Sequence, residues 1–117
     1  MNEKSKIVYI AGPYRNSRGE YFVRQNIRNA EEASVFILQH GGIPMCPHKN
    51  MSGLHGIVPT AQIISAGLVL LSRCDAVLMI EGWEKSIGSR KERMLAIDTD
   101  IPVFYDFFAI EKFLEGE

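Results

Sequence analysis

The sequence predicts a single Rossmann-like or flavodoxin-like α/β domain, a parallel sheet of four to five strands with helices on both faces. Three observations predict it. Short apolar runs alternate with stretches of helical periodicity, in the order β-α-β-α-β-α-β-α. The strand-like runs are continuously apolar rather than alternating, as in a sheet covered on both faces. The chain has 117 residues, 46% of them hydrophobic, which is one domain with enough apolar content for its own core.

Ile7-Val8-Tyr9-Ile10-Ala11 is the first strand, stopped by Gly12-Pro13. From Tyr21 to His40 the apolar positions Phe22, Val23, Ile27, Ala30, Ala33, Phe36, Ile37 and Leu38 recur at three and four residues, which makes an amphipathic helix ended by Gly41-Gly42. Ile43 to Cys46 is the second strand, and a polar loop follows, with His48 and His55 in it. Val58 to Ser72 reads as the second helix, with Pro59 in its first turn. Ala76 to Ile80 is the third strand. Glu81 to Ser89 is a loop, and Ser89 is the expected cap of a helix running to about Thr99. Pro102 to Tyr105 is the fourth strand, and Phe107 to Leu114 a closing helix.

Composition excludes several roles. The net charge of −1 gives no general attraction to nucleic acid polymers or acidic membranes. The longest apolar run, Ala66 to Leu71, is too short to span a bilayer. Met1 to Lys6 carries no charged-then-apolar leader, so a cytoplasmic location is expected. Cys46 and Cys74 read as unpaired small core residues, with no metal-ligand spacing around them. Asp75 stands at the start of its strand and reads as structural.

In an open parallel sheet, ligands bind beyond the carboxyl ends of the strands. That rule selects the segments 12–20, 47–57 and 81–89. The first carries Gly12, Tyr14, Arg15, Asn16 and Arg18. Glycine permits close approach to the backbone, and the arginines suit a phosphate or carboxylate, although a solvated basic loop has the same composition. The second, with His48 and His55, reads as a specificity lid or as plain solvated loop. The third places Ser86, Gly88 and Ser89 before a helix, where amides, hydroxyls and the helix dipole favour an anion. Glu92 then falls near the first helical turn, where its carboxylate is expected to stay ionised. It reads either as an ordinary first-turn acid or as a nucleophile toward an electron-poor sugar carbon. Trp83 reads equally as a stacking surface for a base or as a cover for the core.

Four stretches carry a family resemblance: Tyr9-Ile10-Ala11-Gly12-Pro13-Tyr14-Arg15; Asp75-Ala76-Val77; Ser86-Ile87-Gly88-Ser89-Arg90-Lys91-Glu92 with Ala96; and Ile101-Pro102-Val103. From about Ile7 to Phe104 the chain resembles the nucleoside 2-deoxyribosyltransferase superfamily. It most resembles its small deoxyribosyltransferase-like members and the 2′-deoxynucleoside 5′-monophosphate N-glycosidases. The resemblance implies Glu92 as nucleophile at the anomeric carbon, with Tyr9 orienting it. It implies a 5′-phosphate site at Arg15, Ser86 and Gly88, to which Ser89 adds. Gly12, Tyr14, His48 and Trp83 complete the expected substrate-binding set. The expected partner is a small-molecule nucleoside or nucleotide, with no metal and no cofactor, and by analogy the chain forms a homo-oligomer. The transferases have an aspartate where Ser86 stands, which favours a phosphorylated ligand here. Two positions depart from the family pattern. Met94 replaces a glycine and is expected to crowd the site, and Gly67 stands where many members carry a sugar-binding acid. Both favour the alternative of a non-catalytic nucleotide-binding or sensing module.

Overall fold

The structure, a computed structural model, describes all residues of the chain except Ser52, His55 and Glu117. Among the described residues, five helices and four strands follow in chain order: β1 (Ile7–Ala11), α1 (Glu20–Gln39), β2 (Ile43–Met45), α2 (Pro47–Asn50), α3 (Thr60–Ser72), β3 (Ala76–Met79), α4 (Ile87–Asp98), β4 (Val103–Phe104) and α5 (Phe107–Leu114). A 3₁₀ turn, Trp83–Lys85, precedes α4. The sheet order is β2-β1-β3-β4 and every pairing is parallel, the flavodoxin-like arrangement that the alternation predicts.

The two central strands are the most apolar runs. Val8 to Ala11 and all of β3 are buried. Successive residues of β1 point to opposite faces. Val8 and Ile10 pack with Ala30, Ala33 and Ile37 of α1 and Ile110 of α5. Tyr9 and Ala11 pack with Leu71 of α3 and Ala96 of α4. Asp75 is structural as expected, since its Oδ2 accepts the Ile7 amide at 2.7 Å and fixes the strand starts together. Cys46 and Cys74 are free thiols. Burial pushes the Cys74 thiol up to about 11, so it stays protonated.

Several boundaries differ from the sequence expectation. The loop after β2 contains one helical turn, α2, bound to α1 by the Lys49–Glu31 ion pair at 3.2 Å. Helix α3 starts at Thr60, two residues late, with Pro59 as its cap rather than in its first turn. The cause is local: a residue before proline is pushed out of the α region, so Val58 cannot join the helix. Ser86, not Ser89, caps α4. Its hydroxyl accepts the Ser89 amide at 3.1 Å, and the helix starts at Ile87. Among the described residues no helix is long and apolar enough to cross a membrane.

Candidate active site

Chain connections from β1 and β3 leave to opposite faces of the sheet, and the crevice between their carboxyl ends is the switch point where such folds take ligands. A cavity of about 840 Å³ opens there. Its walls are the loop after β1, the first half of α1, α2, the first half of α3, and the 81–89 segment with Glu92.

Tyr9 and Glu92 meet in this cavity although 83 residues separate them in sequence. The Tyr9 hydroxyl donates to Glu92 Oε2. Burial first, and the adjacent carboxylate second, hold Tyr9 protonated. Since α4 begins three residues earlier than expected, Glu92 lies in its second turn, away from the free amides of the helix end. Burial then dominates and pushes its carboxyl up to about 7, against the Tyr9 hydrogen bond, which lowers it. The expectation of a fully ionised first-turn acid is thereby corrected.

Gly67 of α3 gives this pair its space. A Cβ there would stand 3.1 Å from the Tyr9 hydroxyl. Alanine in a helix is favoured over glycine by roughly 0.5–1 kcal/mol, so Gly67→Ala is expected to stabilise a Tyr9→Phe protein by about that amount. In the parent protein the hydroxyl must give way and the gain disappears. Urea unfolding of the four proteins checks this, and an equal gain in both backgrounds would refute it. Met94 is 52% exposed and outside the cavity lining, so it does not crowd the site as the sequence suggested.

At α4 the cavity meets a helix amino end. Ser86 Oγ accepts both the Ser89 amide and, at 2.9 Å, the Ser89 hydroxyl, so its own proton is left to donate. Gly88 has open space where a side chain would be. Arg15 Nη2 donates to Thr60 Oγ1 at 3.1 Å and bridges the β1 loop to the start of α3. Lys85 adds a second cation to the lining.

His48 is not a solvated loop residue. It is buried, lines the cavity, and its Nε2 donates to the Pro13 carbonyl at 2.8 Å. Burial holds its pKa below the ordinary value, so the ring is neutral with Nδ1 as an acceptor. Nδ1 has no partner among the described residues. The Tyr14 ring packs against it edge-on at 5.8 Å. His55 lies outside the described residues.

Of its two readings, a base-stacking surface or a cover for the core, Trp83 takes the second and leaves the expected substrate-binding set. It lies outside the cavity lining and packs on the second core cluster, with Tyr105 at 5.6 Å and the Arg93 guanidinium at 5.3 Å from its ring. Arg18 likewise stays out, stacked on Phe22 at 3.9 Å. The structure therefore gathers Tyr9, Gly12, Tyr14, Arg15, His48, Ser86, Gly88, Ser89 and Glu92 around one cavity, without Trp83. Sequence reasoning missed Lys85, Thr60 and the carboxamides Gln25, Asn26 and Asn29 of α1. The carboxamides left a signal, an uncharged polar stripe on an otherwise charged helix face. Among the described residues no three His, Cys, Asp or Glu side chains are grouped to hold a metal ion.

The fold is that of the 2-deoxyribosyltransferases. The chain is similar to a 2-deoxyribosyltransferase from the psychrotolerant bacterium Bacillus psychrosaccharolyticus, with a TM-score of 0.66, 14% identity, and 90% of each chain covered. It is also similar to a 2-deoxyribosyltransferase from Leishmania mexicana, with a TM-score of 0.61, 17% identity, 84% of this chain covered and 61% of that one. No curated protein matches the chain. The chain belongs to the family described as "Domain of unknown function (DUF7768)", which matches residues 6–106.

Proposed function

We propose that this protein cleaves the N-glycosidic bond of a 2′-deoxynucleoside or, by preference, its 5′-monophosphate, with hydrolysis or deoxyribosyl transfer as the outcome. The observation that carries the reading is the Glu92 carboxylate, hydrogen-bonded by Tyr9 in a cavity that also holds Arg15, Lys85 and the amino end of α4. Glu92 in its ionised form attacks C1′. The carboxylate–C1′ bond forms, the C1′–N bond breaks, and its electron pair leaves with the base. Water then hydrolyses the glycosyl ester, regenerating Glu92 and giving the base its proton, or a second base takes the sugar in transfer. Tyr9 fixes the carboxylate through its hydrogen bond. Arg15, Ser86, Gly88, Ser89 and Lys85 hold the phosphate, and Gly12, Tyr14 and His48 complete the substrate-binding set.

Association with further copies of the chain belongs to the same reading. The exposed Ile64 and Val69 of α3 and Met94 and Ile97 of α4 supply an apolar surface for it. Nucleotide binding without turnover is the second reading, favoured by the absence of an acid at Gly67.

Incubation with a panel of deoxynucleosides and their 5′-monophosphates, read by chromatography for freed base, tests the proposal. Added free base as acceptor separates transfer from hydrolysis. With Glu92 at about 7, kcat/KM is expected to rise as pH increases through neutrality, because the attacking form is the ionised one. Arg15→Ala is expected to weaken 5′-phosphorylated ligands by about tenfold, the low end for a charge-assisted contact at an exposed arginine. Unphosphorylated ligands should be little changed. Equal weakening of both classes removes the phosphate assignment.

A further inference from the structure

The proposed reaction leaves open what the base itself touches. Helix α1 contributes Gln25, Asn26 and Asn29 to the cavity, while its arginines Arg24 and Arg28 lie outside the lining. The three carboxamides are held in place. Gln25 Nε2 donates to Asn29 Oδ1 at 3.2 Å, and Asn26 Nδ2 donates to the Tyr14 carbonyl at 3.2 Å. These bonds use one donor of Gln25, one donor of Asn26 and the acceptor of Asn29. They leave the Gln25 and Asn26 oxygens as acceptors and the Asn29 amide nitrogen as a donor, with no side-chain partner among the described residues. This wall carries hydrogen-bonding capacity of both signs and no charge, which suits a neutral polar ring and not a phosphate.

Its position has a chemical consequence. Helix α1 packs on the Val8 and Ile10 face of the sheet, whereas α4, which carries Glu92, packs on the Tyr9 face. The carboxamides and the carboxylate therefore enter the crevice from opposite sides. In a displacement at C1′ the leaving group departs opposite the nucleophile, so a base expelled by Glu92 lies toward α1. We infer that Gln25, Asn26 and Asn29 form the base-recognition wall. Its ligand class is a nucleobase presenting adjacent donor and acceptor groups along one edge, as in an amide or amidine. The Asn29 amide also stabilises charge developing on the departing ring. The inference rests on the proposed glycosidic cleavage for its direction of attack, but its test does not need turnover.

Calorimetry on the Glu92→Gln protein, in which substrate stays intact, provides that test. The probes are the 5′-monophosphates of deoxyadenosine and deoxyinosine, and 2-deoxyribose 5-phosphate, which has no base. Adding Asn29→Leu or Gln25→Leu is expected to weaken both nucleotides by about tenfold each, the cost of leaving a base hydrogen bond unmade. The base-free sugar phosphate should be unaffected. Adding Asn29→Asp, which turns the donor into an acceptor, is expected to shift preference from the 6-carbonyl of hypoxanthine toward the 6-amino group of adenine. Equal losses for nucleotide and sugar phosphate, or none for either, would overturn the inference. Nucleotide binding that responds to Asn29, in a parent protein that releases no base, would overturn turnover alone. A parent protein that binds none of the three probes would overturn both readings.

Discussion

Replacing Glu92 by glutamine is expected to abolish release of free base and, in the same protein, to raise the melting temperature at pH 8. Activity should fall by about 10³-fold or more if Glu92 is the nucleophile as proposed, since its removal takes away the covalent path itself. Glutamine keeps the shape and can still accept the Tyr9 hydrogen bond, so the loss reports chemistry and not collapse of the site. Stability moves the other way because the carboxyl is pushed from 4.5 to about 7 by burial. Between those two values the folded protein holds a proton that the unfolded chain has lost, so stability falls as pH rises through that window. Above pH 7 the penalty is fully present, up to about 3 kcal/mol. Glutamine never ionises and escapes it. Melting curves of both proteins from pH 5 to pH 8 check the sign: the gap should be small at pH 5 and widen to several degrees at pH 8. A gap independent of pH would show that the carboxyl is not buried as the geometry requires. Activity without Glu92 would end the nucleophile assignment whatever the melting curves show.

A carboxyl that is costly to keep charged is what burial in the cavity entails, and it suits the nucleophile proposed for Glu92. Water removed from the carboxylate raises its basicity and its reactivity together, and Tyr9 limits how far the pKa climbs. Gly67 and Gly88 fit the same design. Gly67 leaves out a side chain beside the Tyr9 hydroxyl, Gly88 leaves open space at the cavity wall where the proposed phosphate would sit, and helix propensity is lost in both places.

Much of this was legible in the sequence. The continuous apolar runs of β1 and β3 declared central parallel strands, and the switch-point rule then chose the loops that line the cavity. What failed was set by tertiary context. Ser86 and Ser89 are equally good caps by composition, and the structure uses the first, which moves Glu92 by almost a turn and changes its electrostatics. Trp83 was undecided because an indole on a loop packs wherever apolar surface is nearest, and here Tyr105 and the aliphatic core supply it. Helix α2 is a single turn and leaves no periodicity to read. The carboxamides of α1 stayed hidden because amphipathic analysis reads the apolar face of a helix and ignores how its polar face is composed.

Gly12 was singled out as a place for close approach to the backbone, and the structure supplies a second reason to expect its replacement to destabilise the fold. A Cβ on Gly12 would fall 2.3 Å from Cγ1 and 2.8 Å from Cδ1 of Ile80. Ile80 is nearly buried, belongs to the core cluster with Val8 and Ile10, and ties the strand exits together through its amide on the Ala11 carbonyl at 2.9 Å. Its side chain has no easy retreat. Gly12→Ala is therefore expected to cost about 1–3 kcal/mol by overpacking, and Gly12→Val more. Ile80→Ala alone should cost about 2–5 kcal/mol through the cavity it leaves. Together the two changes are expected to cost less than their sum by 1 kcal/mol or more, roughly the coupling of residues in contact, because the new methyl occupies the space the isoleucine vacates. Chemical denaturation of the four proteins measures the coupling. Additivity would mean that β1 and β3 separate to admit the methyl, and then the cavity between their ends should widen and the Gly12→Ala protein should bind nucleotide more weakly than its stability loss alone accounts for.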